Sequence, residues 1–154
     1  MVRNVKQDRN GNVLVVSFKD VFRYDGKLFT NITSKIGGSP GFWDVLEDRK
    51  GNLWLATRNS GVYCYNGKSF QHFTTREGLV DNRVVSVYED KAGNIWFGGS
   101  IIKDEKDKVL VVEAGLWRYD GITYTKVSQR GASVIIEDKK GNVWTTGAVK
   151  PNGY

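Results

Sequence analysis

Short stretches of alternating hydrophobic and polar residues recur along the chain and predict β-strands. Segments such as Val84–Tyr88 and Thr123–Val127 are followed within a few residues by glycine, asparagine or aspartate. Alternation with a period of two is typical of half-buried strands, and closely spaced turn residues indicate short antiparallel strands. The pattern therefore predicts an all-β fold. Its glycine-rich and aromatic-rich composition, with 18 glycines and only 2 prolines, agrees with this prediction.

One segment with an Asp-x-x-Gly-Asn turn occurs four times. Its copies begin at Val5, Val45, Val87 and Ile135, and their turn glycines are 40, 42 and 48 residues apart. The aspartate is suited to accept hydrogen bonds from the amides ahead of it, and the glycine supplies the positive φ that a tight hairpin needs. Each copy therefore predicts a hairpin that joins two strands, designated A and B.

A second segment with an aromatic-Asp/Asn-Gly turn occurs three times, between the copies of the first. These copies are Val21–Lys27, Val62–Lys68 and Leu116–Ile122, and each predicts a hairpin of strands C and D. A period of about 40 to 45 residues with four strands is typical of a β-propeller blade. The sequence therefore predicts a single propeller arc of about three and a half blades, at residues 1–41, 42–83, 84–131 and 132–154.

The repeated residues resemble the two-component regulator propeller family. Its Asp-x-x-Gly-Asn-hydrophobic-Trp pattern matches Asp48–Trp54, Asp90–Trp96 and Asp138–Trp144, and its Gly-Leu-x-x-Asn link matches Gly78–Asn82. The first copy departs from the pattern, with Leu14 in place of tryptophan. The resemblance implies a periplasmic or extracellular sensor region of a bacterial hybrid histidine kinase that responds to glycans. Streptogramin lyase-like proteins contain similar blades.

The chain holds four A–B hairpins but only three C–D hairpins. Closed propellers have about four to eight blades, and an open arc leaves two apolar blade faces in water. The favoured interpretation is a fragment of a longer propeller. The alternative is a homo-oligomer that forms through the open blade edges.

Composition excludes several classes of function. The chain has one cysteine, Cys64, and one histidine, His72, so it has no internal disulfide or His-rich metal cluster, and we expect no metal and no cofactor. The 23 basic and 17 acidic residues give a net charge of +6 without a Lys/Arg block, which argues against nucleic acid and leaves a mild preference for acidic glycans. No apolar run or signal-like start predicts membrane insertion or targeting.

Loop variability indicates which face binds ligands. In a propeller, A–B and C–D turns lie on one face, and B–C and D–A loops lie on the other. The turns here are short and uniform, whereas residues 36–43, 57–61 and 75–83 and the insertion 100–113 vary, and variation on one face of a repeat is typical of a binding surface. The insertion predicts an extended B–C hairpin with the charged cluster Lys103–Lys108 at its tip.

Five residues are the candidate ligand-binding site on this variable face. They are Trp43, Arg58, Asn59, Asn82 and Arg83. Trp43 lies outside the repeat pattern, and the two arginines are suited to form charge-assisted hydrogen bonds to an anionic sugar or a carboxylate.

The other conspicuous residues are interpreted as framework. Trp54, Trp96 and Trp144 recur in the repeat, which favours packing between blades over sugar stacking. The pairs Glu47–Asp48, Glu89–Asp90 and Glu137–Asp138 are predicted to cap turns, His72 lies on an outer strand, and Cys64 is a buried packing residue. We therefore predict a non-catalytic ligand-binding or sensing module. A protein-interaction scaffold is the alternative, and a lyase-like enzyme, which needs a histidine and an acidic metal site, is less favoured.

Overall fold

Sixteen β-strands make up the fold, in a computed structural model that describes residues 1–79, 81–99 and 115–146 and the backbone of 102–103 and 109–110. Within these described parts there is no apolar helix of membrane-spanning length. The strands are β1 (Val2–Gln7), β2 (Val13–Ser17), β3 (Val21–Tyr24), β4 (Phe29–Asn31), β5 (Phe42–Glu47), β6 (Leu53–Thr57), β7 (Val62–Tyr65), β8 (Phe70–Phe73), β9 (Ser86–Glu89), β10 (Ile95–Gly98), β11 (Ile102–Lys103), β12 (Val109–Leu110), β13 (Leu116–Tyr119), β14 (Tyr124–Ser128), β15 (Val134–Glu137) and β16 (Val143–Thr146).

The strands form three four-stranded antiparallel sheets and two two-stranded ones, of which β11 and β12 make up one. The first sheet has the order β1-β2-β3-β4, the second β5-β6-β7-β8 and the third β9-β10-β13-β14, and β15 pairs with β16. Consecutive A strands contact one another, β1 with β5, β5 with β9, and β9 with β15. The sheets therefore stack as an arc of about three and a half propeller blades, and the predicted fold class is confirmed.

Each A–B turn is closed by its aspartate, as the sequence predicts. In the second blade, Asp48 Oδ1 accepts from the amides of Lys50 and Asn52 at 2.9 and 2.8 Å, while Oδ2 accepts from Asn52 Nδ2 at 2.9 Å and Trp54 Nε1 at 2.8 Å. Gly51 provides the φ of +85° that the turn requires. Burial raises the pKa of the Asp48 carboxyl, but these hydrogen bonds outweigh it and hold the pKa below its ordinary value.

The first blade closes its turn differently because Leu14 replaces the tryptophan. Here Arg23, which lies opposite Leu14 on the neighbouring strand, places its Nε 2.9 Å from Asp8 Oδ2. A guanidinium therefore takes the place of the indole N–H on the turn aspartate.

A glutamate precedes the turn aspartate in three of the four A–B turns, and it does not cap its own turn. Glu47 Oε2 accepts from the Arg9 amide at 2.6 Å, Glu89 Oε2 from the Arg49 amide at 2.9 Å, and Glu137 Oε2 from the Lys91 amide at 2.7 Å. Each of these bonds joins the turns of two neighbouring blades. The prediction that both members of the pair cap turns is therefore wrong for the glutamates, which tie one blade to the next.

The repeated tryptophans pack between blades where a blade follows them. Trp54 in the second blade is 5% exposed, and its ring lies 5.8 Å from Phe97 and 6.0 Å from Tyr119 of the third. Trp96 is 7% exposed and packs with Ala132 and Ile135. Trp144 is 61% exposed, so its predicted burial is wrong. The indole still donates to Asp138, but no described residue follows to cover it.

The structure also places the insertion, His72 and Cys64. The backbone of β11 pairs antiparallel with β12, which is the hairpin that the insertion predicts, while residues 104–108 of its charged tip lie outside the described residues. His72 lies on β8, the outer strand of the second blade, as predicted. Cys64 is buried on β7, where burial and the nearby Asp48 carboxylate raise the pKa of its thiol to about 12.

Candidate functional site

The B–C and D–A loops meet on one side of the arc, which we call the loop face (residues 18–20, 32–41, 58–61, 74–79, 81–85 and 129–133). Backbone hydrogen bonds hold the loops together: the Phe42 amide donates to Phe18, that of Arg58 to Gly41 and that of Gly61 to Asn82, at 3.0, 2.8 and 2.8 Å. The first two bonds join the first and second blades, and the third joins the B–C loop of the second blade to the D–A loop that leads into the third. The face is therefore a shared surface of neighbouring blades.

Trp43 lies where the second A strand enters the loop face. The pairing of β5 with β6 shifts between Phe42 and Asp44, so Trp43 occupies a β-bulge, and it is half-buried. The guanidinium of Arg3 lies over its ring, with the Arg3 Cζ 4.5 Å from the ring centroid and 5.8 Å from that of Phe18. A cation–π pair therefore joins the first two blades at this point.

Arg58 and Asn59 lie on the B–C loop of the second blade and are exposed. The Arg58 amide is held by the Gly41 carbonyl, two residues before Trp43. Gly41 adopts a φ of +73°, and a Cβ there would press on the Phe18 ring at 3.1 Å and contact the Arg58 Cβ at 3.5 Å. In the described part of the chain, no carboxylate lies within ion-pair distance of Arg58.

Asn82 and Arg83 lie on the D–A loop that leads into the third blade. Asn82 Oδ1 accepts from the Thr75 amide at 3.0 Å, which fixes the turn of this loop. Arg83 Nε donates to Asp81 Oδ1 at 2.8 Å, and its Nη2 also bonds this carboxylate. Burial raises the pKa of Asp81, but the bonds from Arg83 outweigh it and keep the pKa below its ordinary value.

The five predicted residues therefore share the loop face but differ in what they offer a ligand. Trp43, Arg58 and Asn59 lie on adjoining segments, whereas Asn82 and Arg83 are engaged within their own loop. Sequence reasoning missed Arg3. Arg3 and Trp43 each lie two residues before a copy of the repeat, at Val5 and Val45, so alignment of the two copies pairs Arg3 with Trp43.

Sequence reasoning also missed Asp44, which is buried between three inner strands. Its Oδ1 accepts from Asn4 Nδ2 at 2.7 Å and lies 2.7 Å from Lys6 Nζ, and its Oδ2 accepts from the Val87 amide at 3.0 Å. The carboxylate therefore joins the A strands of the first, second and third blades beneath the loop face. A charged residue at an inner-strand position is the sequence signal for it.

His72 is the residue on which lyase-like chemistry would depend. Its ring stacks on Tyr63, with centroids 4.0 Å apart and planes 5° apart, and its Nε2 donates to the Ser60 carbonyl at 2.5 Å. No cluster of three histidine, cysteine, aspartate or glutamate side chains suited to a metal occurs among the described residues.

A comparison with protein-family models agrees with the repeat pattern found in the sequence. The family model of the two-component regulator propeller matches residues 37–59 and 78–101. These two segments therefore match the repeat of that family, and the resemblance noted in the sequence is confirmed. A search of curated proteins finds no match.

Solved structures share the fold at low sequence identity. Extracellular domains of two hybrid two-component systems of B. thetaiotaomicron match 95% and 94% of the chain, with TM-scores of 0.72 and 0.69 and identities of 17% and 20%. The chain spans 22% and 20% of those structures. A catalytically inactive virginiamycin B lyase of Staphylococcus aureus matches 95% of the chain at a TM-score of 0.60 and 13% identity, over 63% of its own length.

Proposed function

We propose that the chain is a non-catalytic ligand-sensing module of a bacterial signalling receptor, located outside the cytoplasm, and that it is one arc of a longer propeller. The propeller repeats and the likeness to extracellular domains of two-component systems support this proposal. The chain's span of about a fifth of those domains supports the longer propeller.

The arrangement around Arg58 on the loop face is the observation that carries the proposal. Arg58 is exposed and unpaired among the described residues, and its loop adjoins the segment that carries Trp43 and the overlying Arg3. An aromatic face beside a guanidinium is suited to an anionic sugar, because the ring stacks on the sugar and the guanidinium forms a bidentate, charge-assisted bond to a carboxylate. We propose acidic oligosaccharides as the ligand class.

The proposal predicts that Arg58→Ala weakens the binding of trigalacturonic acid at least tenfold, because a hydrogen bond to a charged group contributes about 1.5–3 kcal/mol. Isothermal titration of the purified chain measures this, with maltotriose as the neutral probe. Lys27→Ala is the matched control, because it removes an exposed cation from the opposite face. Equal affinity of Arg58→Ala and the wild type, or a failure of trigalacturonic acid to bind more tightly than maltotriose, would refute the proposed site.

The absence of catalysis is part of the proposal. His72 lies on an outer strand, where its Nε2–H donates to the Ser60 carbonyl and its ring stacks on Tyr63. Both contacts favour a packing role for His72 over that of a general base. The structural likeness to the lyase concerns the fold alone at 13% identity.

Self-association is the second candidate function, and the open ends of the arc favour it. Trp144 and Ile136 are 61% and 55% exposed at one end, and Val5 is 56% exposed at the other. Trp54 and Trp96, which occupy the same repeat position inside the arc, are each covered by the next blade. A second chain that docked head to tail would cover Trp144 in the same way, and light scattering would then report assemblies larger than the 17.3 kDa monomer.

A further inference from the structure

A cleft opens between the second and third blades on the turn face, opposite the loop face. Its volume is about 310 Å³. Its aromatic wall consists of Trp54, Phe73 and Tyr119, whose ring centroids lie between 5.7 and 6.1 Å apart. The cleft also reaches Cys64, which lies opposite Trp54 on the neighbouring strand.

The other two blades place an arginine at the position that Cys64 occupies. Arg23 lies opposite Leu14, and Arg118 lies opposite Trp96, in the register that pairs Cys64 with Trp54. Arg23 brings its Nε to 2.9 Å from the turn aspartate Asp8. The guanidinium carbon of Arg118 lies 6.0 Å from the Trp96 ring centroid. The framework of a blade thus accommodates a guanidinium at this position, and the second blade supplies none of its own.

The residues that line the cleft carry a net negative charge, and Arg49, outside the lining, places its Nε 3.9 Å from Glu89 Oε2. The carboxylates of Asp48, Glu89 and Asp120 line it, and Lys50 is the one cation among the described lining residues. Hydrogen bonds from the amides of Thr123 and Ile122 lower the pKa of Asp120, so this exposed carboxylate is ionised at neutral pH. Cys64 is neutral there, because burial raises the pKa of its thiol to about 12. Carboxylates beside aromatic faces are the groups that attract an organic cation.

We propose that this cleft binds a guanidinium group, carried by free arginine or by an arginine side chain of a peptide. The incoming guanidinium takes the place that Arg118 fills beside Trp96 in the third blade, packs against the indole of Trp54, and pairs with the carboxylate of Asp120 at the rim. The site lies on the opposite face from the proposed glycan surface, so either one can fail without the other.

The test is an NMR titration of the Trp54 indole N–H with three probes. N-acetyl-L-arginine amide represents a peptide side chain, L-arginine represents the free amino acid, and N-acetyl-L-citrulline amide is the neutral isostere. We expect at least one arginine probe to bind at least tenfold more tightly than the citrulline probe, and the tighter of the two identifies the source. Equal affinities for all three probes would overturn the proposal.

Two variants locate the binding. Cys64→Arg fills the cleft with the chain's own guanidinium, as the other blades do, and is expected to reduce arginine binding at least tenfold. Asp120→Asn is expected to weaken it severalfold without disturbing the fold, because its side-chain oxygen still accepts the amides of Ile122 and Thr123. Asp25→Asn is the matched control at the same turn position of the first blade, and it should bind like the wild type. Wild-type affinity in both Cys64→Arg and Asp120→Asn would place any binding elsewhere and refute the site.

Discussion

Asp44→Ala is expected to lower the free energy of unfolding by about 3 kcal/mol, because it removes a buried carboxylate that joins three blades. The substitution leaves the Val87 amide without its acceptor and Lys6 without its ionic partner. A hydrogen bond to a charged group contributes about 1.5–3 kcal/mol, and the Val87 amide is left buried without an acceptor, whereas the Lys6 side chain is 35% exposed and reaches water. Urea unfolding followed by circular dichroism measures the change.

Lys6→Met is the control for this prediction. It removes only the more exposed partner and leaves the bonds from Asn4 and Val87 to Asp44 in place, so a loss of about 1 kcal/mol is expected. If Asp44→Ala were within about 0.5 kcal/mol of the wild type, as surface substitutions are, the carboxylate would not hold the inner strands together.

Gly98→Ala is expected to destabilise the chain by about 3 kcal/mol, through the junction of the third blade and the β15–β16 hairpin. A Cβ at Gly98 would lie 2.0 Å from the Ala132 carbonyl oxygen and 2.3 Å from Ser86 Oγ. These two atoms are themselves joined by a 2.6 Å hydrogen bond, so neither moves without cost. Overpacking of a rigid site costs about 1–3 kcal/mol or more, and here the obstacle is backbone.

Gly37→Ala is the matched control, because a Cβ there meets nothing within 4 Å and the residue has no positive φ. It should change the free energy of unfolding by less than about 0.5 kcal/mol. Comparison of the two variants by urea unfolding separates the close packing at Gly98 from the general effect of losing a glycine. Equal stability of the two would show that β15–β16 does not pack against the third blade.

The fold was predictable because each hairpin carries its own signals. The turn aspartate and glycine are local, and Asp48 indeed closes its turn through bonds within six residues. The burial of a side chain, in contrast, depends on which blade lies next to its hairpin. Trp54 and Trp144 occupy the same repeat position, yet their exposure differs because only the first is covered by a following blade. The role of Glu89, which bonds the turn of the preceding blade, likewise depends on stacking.

The candidate site was predictable only in outline. The variable loops predict which face binds a ligand, but the stack of Arg3 on Trp43 depends on a β-bulge that repeat spacing does not indicate. The pairing of Arg83 with Asp81 is an exception, because the two residues are close in sequence and opposite in charge. The cleft at Cys64 was not predictable, because it forms only where the second and third blades stack and because its likeness to Arg23 and Arg118 depends on strand register.

Similar hairpins stack side by side in this fold, so that each repeated indole is buried only where another blade covers it. Broadening of the tryptophan indole N–H signals by a soluble nitroxide tests this most directly, at a concentration where light scattering reports a monomer. We expect strong broadening for Trp144 and protection for Trp54 and Trp96. Equal broadening of the three indole signals would contradict it.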